Sequence, residues 1–220
     1  MCRKAECNLL ELKGITKKYG SNVIFEDVNI SFEEGTGTCF TGHNGCGKSS
    51  MLKVIGGLIP HNAGDICYDR KMKFAYVPEK IPVVNMDGRT FLKHMAKIDD
   101  IYPAKRQDEI ISQFADEFFL TDMLDKQMKY MSKGTLQKIG IIQALIRDPD
   151  VLLLDEPLSG QDADSKEVFI RKILDLKKKK KIILMSAHEK DLIGVLSDFV
   201  YLIEKGNVIL AENKLKQKDY

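Results

Sequence analysis

The strongest chemical signal in the chain is the run Gly42-His43-Asn44-Gly45-Cys46-Gly47-Lys48-Ser49-Ser50. From Gly42 to Ser49 it satisfies the spacing G-x-x-x-x-G-K-S, and this is a candidate nucleotide-binding loop. Gly42, Gly45 and Gly47 let the backbone bend close to an anion, so that successive N–H groups point at phosphate oxygens. A helix opening at Lys48 adds its positive dipole end. In this arrangement Lys48 reaches the β- and γ-phosphates of a nucleotide and the Ser49 hydroxyl ligates Mg2+. Cys46 inside the loop reads as a small packing residue.

A second cluster lies in Val151-Leu152-Leu153-Leu154-Asp155-Glu156-Pro157. Four apolar residues make a buried strand that delivers Asp155 at its C-terminal end, beside the glycine loop in a doubly wound sheet. Asp155 there would hold Mg2+ through water. Glu156 would face the γ-phosphate and polarise the attacking water. Standing alone, such a pair would read as a strand ending in an acidic turn, but the glycine loop changes that weighting.

These residues need a scaffold, and the hydrophobic pattern supplies one. Residues 8–20 and 22–35 alternate apolar and polar side chains, as half-buried strands do. A short apolar strand runs into the glycine loop, and the following helix ends at Gly56-Gly57. Residues 60–64 read as a turn between further short strands. Between about 88 and 147 the apolar spacing becomes helical, and from 148 onward apolar strands alternate with helices. The expected fold is α/β, a P-loop core with a mainly parallel buried sheet, an N-terminal antiparallel β region and an inserted helical subdomain. As one domain it comprises a core at 1–87 and 148–220 with the subdomain at about 88–147. Lys177–Lys181 is read as a solvated connection. The apolar loop with Ile81, Val83, Val84 and Met86 is either a partner groove or packing under the helices.

Composition excludes several classes. The chain has 220 residues with a net charge of +2, so no large basic nucleic-acid face is demanded. Five cysteines occur without a Cys-x-x-Cys, which suits a reduced compartment. The N-terminal residues lack the apolar core of a signal peptide. Apolar runs fall far below the roughly 18 residues of a membrane span. The expectation is a soluble chain that reaches any membrane through a partner.

Four further pieces narrow the reading. Tyr19 precedes the glycine loop, Ser132-Lys133-Gly134-Thr135 opens a helix before the Asp155 strand, Ser159 to Asp162 follows it, and His188 ends the next apolar strand. In this order, from about residue 8 to about 212, the chain resembles the ATP-binding subunit of ABC transporters. The resemblance implies an ATPase coupled to transport, with ATP and Mg2+ as cofactors. Tyr19 would stack on adenine, and His188 would contact the γ-phosphate and align Glu156. Ser132 and Gly134 would offer a hydroxyl and an N–H to a nucleotide held by another subunit, and Ser159 and Asp162 would communicate across that interface. The implied partners are a second copy or homologous ATPase subunit and an integral membrane permease, with no nucleic acid, at the inner face of the cell membrane. No C-terminal regulatory domain is expected.

The chain departs from the family pattern at three positions. Glu79 stands where Gln is common, as in members resembling drug, antibiotic and peptide exporters; its carboxylate can still ligate Mg2+ or its water. Lys133 replaces a usual Gly, and Thr135 a usual Gln. Export is therefore favoured. The alternative is an ABC-type ATPase acting as a switch on a cofactor-assembly scaffold. An unrelated P-loop kinase or GTPase would need a lid or an Asn-Lys-x-Asp base reader, and neither is found.

Overall fold

The computed structural model describes residues 10–98 and 102–216. Two sheets organise them. The first is antiparallel, in the order β2 (Asn22–Phe32), β1 (Leu10–Tyr19), β4 (Ala63–Tyr68). The second runs β5 (Phe74–Val77), β6 (Val151–Asp155), β7 (Ile182–Ser186), β3 (Gly37–Thr41), β8 (Phe199–Glu204), β9 (Asn207–Asn213). It is parallel throughout except for the antiparallel β8–β9 pair. β4 begins inside the stretch expected as a turn, because Ala63 pairs with Thr16.

The strands of the second sheet form a partition between two cores, following the two-residue period of a pleated strand. Leu152 and Leu154 of β6, with Ile183 and Met185 of β7, pack into a cluster with Leu92, Ile111, Phe118 and Ile142 from the helices between β5 and β6. Val151, Leu153, Ile182 and Leu184 join the other cluster, with Leu10, Leu12 and Phe25 of the antiparallel sheet and Met51 and Leu52 of α1 (Lys48–Ile55). All-apolar strands are what burial on both faces requires.

Between β5 and β6 lie α2 (Gly88–Ile98), α3 (Ala104–Glu117), 3-10 turns at Thr121–Met123 and Met128–Tyr130, and α4 (Lys133–Ile146). After β6 come α5 (Ala163–Lys178) and α6 (Lys190–Leu196). Ile81 and Val84 of the apolar loop pack against the helical core. Gly140 of α4 makes room for Ile81, since a Cβ there would sit 2.2 Å from Ile81 Cδ1. Val83 remains exposed.

The lysine run differs from expectation. Its first and last members are structural anchors. Lys177 Nζ lies 2.6 Å from Asp198 Oδ2 and donates to the Leu196 carbonyl over 3.0 Å, while Lys181 pairs with Asp148 and Asp150. α5 runs on to Lys178, so Lys178–Lys180 alone turn to solvent. Tethers from both ends close the turn that brings α5 back to β7.

Candidate nucleotide site

The C-terminal ends of the parallel strands converge on one edge of the sheet. Thr41 ends β3, Val77 ends β5, Asp155 ends β6 and Ser186 ends β7, with Asp155 paired to Ser186 and Ser186 to Phe40. Open α/β sheets bind ligands at this edge. An open cleft of about 360 Å3 lies there, lined by Asn44, Gly45, Lys48, Ser49, Glu79, Glu156, Ser159 and His188. Every one of these was singled out in the sequence.

The glycine loop is built by close approach. A Cβ on Gly42 would fall 2.5 Å from the Ile203 carbonyl and 2.6 Å from Cys46 Sγ, and its φ of 140° is one that L side chains rarely adopt. A Cβ on Gly47, at φ 116°, would meet Ile24 of β2 at 2.4 Å. The β1–β2 hairpin is thus pressed against the loop. Cys46 is buried in the core shared with α1, which supports its reading as a packing residue. Lys48 folds back over the loop, its Nζ donating to the carbonyls of Gly42 (3.1 Å) and His43 (3.3 Å). His43 and Asn44 are exposed and Ser50 is half-buried on α1. Tyr19, at the end of β1, is 51% exposed and carries Lys17 Nζ 4.3 Å from its ring centroid. It does not line the cleft, although the hairpin it belongs to abuts the glycine loop.

Asp155 is buried and its carboxylate receives three donors. Ser49 Oγ (2.9 Å) and Ser186 Oγ (2.7 Å) donate to Oδ1, and the Tyr76 hydroxyl donates to Oδ2 (3.0 Å). Burial first, and then Asp155, raise the Tyr76 phenol well above its ordinary pKa, so it remains a donor. Glu156 sits at φ 49°, a strained left-handed conformation for a non-glycine residue. Its N–H donates to Ser186 O (3.2 Å) and Ser186 Oγ (3.1 Å). His188 Nε2 lies 3.1 Å from Glu156 Oε1, at ion-pair distance but outside hydrogen-bond alignment, so among the described residues Oε1 has no hydrogen-bond partner. Desolvation raises the Glu156 carboxyl above the usual range; His188 and Lys48 oppose this, while Asp155 and Glu79 add to it. Tyr76 and Ser186 were not among the residues expected from the sequence. The available signal was a serine ending the apolar β7 as Asp155 ends β6.

Ser132 caps α4, its Oγ accepting from Thr135 N (3.1 Å) and lying 2.8 Å from Thr135 Oγ1. Lys133 Nζ donates to Ser159 Oγ (2.9 Å), Gln161 Nε2 to the Gly134 carbonyl (2.9 Å), and Lys138 Nζ lies 3.1 Å from Asp162 Oδ2. Asp162 in turn caps α5, accepting from Ser165 N and Oγ, and these bonds hold its carboxyl far below the usual range. Gln161 and Lys138, also unexpected, link the start of α4 to the segment after β6.

Residues 25–159 match the ABC transporter family. The chain belongs to that family. It is 32% identical over 194 residues to the ABC transporter ATP-binding protein NatA of Bacillus subtilis, covering 83% of this chain and 79% of that protein. It is 26% identical to the zinc import ATP-binding protein ZnuC of a Wolbachia species, covering 89% and 80%. A solved structure, described as the ATP-binding subunit of an ABC transporter, superposes with a TM-score of 0.84 at 26% identity, over 91% of this chain and 88% of the other. The mixed α/β fold with its parallel-dominated second sheet is that of ABC ATPases, and the chain is an ATP-binding subunit with ATPase chemistry.

The donor set suits a hard cation completed by an ABC ATPase's own substrate. Among the described residues no three His, Cys, Asp or Glu side chains group to hold a metal by themselves. Ser49 and Glu79 instead line the cleft with oxygen, buried Asp155 stands behind Ser49 and accepts from its hydroxyl, and Mg2+ is bound by one or two carboxylates plus phosphate oxygens. These residues fit Mg2+. No helix among the described residues is long and apolar enough to cross a membrane.

Proposed function

We propose that this chain binds and hydrolyses ATP with Mg2+ to power transport through a separate membrane permease. It does so by closing head to tail on a second copy or a homologous ATPase subunit. Residues 88–147 act as the inserted helical subdomain, and 1–87 with 148–220 as the core. The protein works at the inner face of the cell membrane, held there by the permease.

The observation carrying this reading is the position of Ser132 and Gly134. Ser132 is exposed and Gly134 half-buried at the opening of α4, and neither lines its own cleft; this helix start, where Thr135 holds the Ser132 hydroxyl, is placed to meet a nucleotide on another subunit. In its own cleft the glycine loop from Gly42 to Gly47, with Lys48 and Ser50, cradles the phosphates, and Tyr19 stacks on adenine. Ser49, Asp155 and Glu79 would hold Mg2+, which would supply positive charge against the triphosphate tail. Glu156 orients and polarises the attacking water, with His188 aligning it. Lys133 and Thr135 meet the partner's nucleotide, and Ser159 and Asp162 relay between sites.

Glu79 pointed to export, whereas a zinc import protein stands among the relatives. Direction therefore drops out of the proposal, which is ATP-driven transport. The test is Glu156→Gln. Hydrolysis should fall by about 10²- to 10⁴-fold, while ATP stays bound and a dimer accumulates on gel filtration. A variant that remains monomeric with ATP, Mg2+ and the permease present would sink head-to-tail closure.

A further inference from the structure

Ser186 holds both working acids at once, Asp155 by its carboxylate and Glu156 by its main-chain N–H. It is fully buried at the end of β7, opposite Asp155 on β6 and Phe40 on β3. Its hydroxyl donates its one proton to Asp155 Oδ1 and accepts from the Glu156 N–H, while its carbonyl accepts from the same N–H. A hydroxyl has one donor and two acceptor lone pairs, so these contacts orient it. The Glu156 backbone is left-handed, a conformation that persists only when the surroundings over-determine it. The two acceptors on Ser186 supply that restraint.

We propose that Ser186 is a positioning residue for hydrolysis, setting the side chain of Asp155 and the main chain of Glu156 relative to one another. Tyr76 completes the grip from the opposite strand, donating to Asp155 Oδ2. Ser49 shares Oδ1 with Ser186 and belongs to the phosphate loop, so it can turn toward a cation while Ser186 and Tyr76 keep the carboxylate aimed. Groups that orient a metal-holding carboxylate are typically worth about 10- to 100-fold in activity or metal affinity.

The inference rests on Asp155 and Glu156 being the working pair, so its test runs beside Glu156→Gln in the full-length chain. Ser186→Ala removes the hydroxyl; Ser186→Cys keeps the volume with a weak donor and acceptor. Steady-state ATP hydrolysis, ATP binding by calorimetry with Mg2+ and with EDTA, and thermal melting are measured on each. Both variants should bind ATP in EDTA as the parent does, and lose about 10- to 100-fold in kcat with KM within about twofold. Ser186→Thr, which restores a hydroxyl, should recover most of the rate. If Ser186→Cys hydrolyses ATP like the parent, Ser186 only fills space and the inference is overturned. Equal losses of rate, EDTA binding and melting temperature in Ala and Cys would overturn it as well. Normal hydrolysis by Glu156→Gln would overturn the underlying reading instead.

Discussion

Thr135 donates its backbone N–H to Ser132 Oγ over 3.1 Å, so the serine that opens α4 is also the cap of that helix. One oxygen serves folding within its own chain and, in the proposed dimer, the triphosphate of another. These roles are separable. Asp caps helices about as well as Ser, yet it carries a negative charge. Ser132→Asp should melt within about 2 °C of the parent, since the cap survives. ATP-dependent dimerisation measured by light scattering should be lost, because a carboxylate would face a phosphate. A Ser132→Asp chain that dimerises normally with ATP would remove Ser132 from the interface.

The acid limb of hydrolysis should report Glu156. Burial and the charges of Asp155 and Glu79 raise its carboxyl, and the water-polarising form is the anion. Activity should therefore fall with decreasing pH at a midpoint above the ordinary glutamate range. Glu79→Gln takes away one of the raising charges. The acid limb of kcat/KM, which reports the free enzyme, should move to lower pH in that variant, read from a pH–rate profile. A shift to higher pH would show that Glu79 does not act on Glu156 as a neighbouring negative charge.

Asp162 offers a stability test with a defined sign. Its carboxyl is depressed because the folded state donates to it from Ser165, with Lys138 nearby. A depressed carboxyl contributes stability that is present above its unfolded value, about 3.9, and lost as pH falls through the folded one. Asp162→Ala should cost about 1 kcal/mol at pH 7 through the lost helix cap. That corresponds to about 2–4 °C in Tm for a chain of this size. The gap between parent and variant should narrow below about pH 4 in acid melts.

Lys177 and Lys179 should behave unlike their neighbours in sequence suggest. Among the described residues, Lys177→Ala leaves the mostly buried Asp198 carboxylate with the Gly37 N–H as its one donor. Urea denaturation should show a loss of about 1–3 kcal/mol. Lys179 is exposed, and its replacement by Ala should stay within about 0.5 kcal/mol. Equal effects would mean that the Lys177–Asp198 contact contributes nothing to folding.

The legible parts of this molecule were those encoded over short stretches. The glycine loop, the acids at the end of β6 and the helix opening at Ser132 each declare themselves within a dozen residues, and the structure brings the loop and Glu156 to one cleft, with Asp155 bonded to Ser49 behind it. β6 and β7 were readable because burial on both faces demands unbroken apolar runs. Ser186 and Tyr76 were not readable. Their meaning comes from register: Asp155 opposite Ser186, and Leu154 opposite Val77 at the end of Tyr76's strand. No local pattern specifies which residue of a distant strand stands alongside. Lys177 was misjudged for a related reason. A run of identical charges looks uniform in sequence, but the turn of α5 aims its first lysine at Asp198 and leaves the middle ones to water. For the apolar loop, the missing fact was the gap left by Gly140, into which Ile81 fits.

The partition formed by β6 carries one more implication. Odd and even residues from Val151 to Leu154 serve opposite hydrophobic compartments, while the acid pair is the strand's last link. Deleting a single residue there would shift the part of the strand beyond the gap by one position, turn the leucines on that side to the wrong compartment and, where that side carries Asp155, draw it about 3.3 Å back from the glycine loop. This short segment is therefore intolerant of length change, and frame-preserving deletion scanning should find it the chain's most brittle stretch.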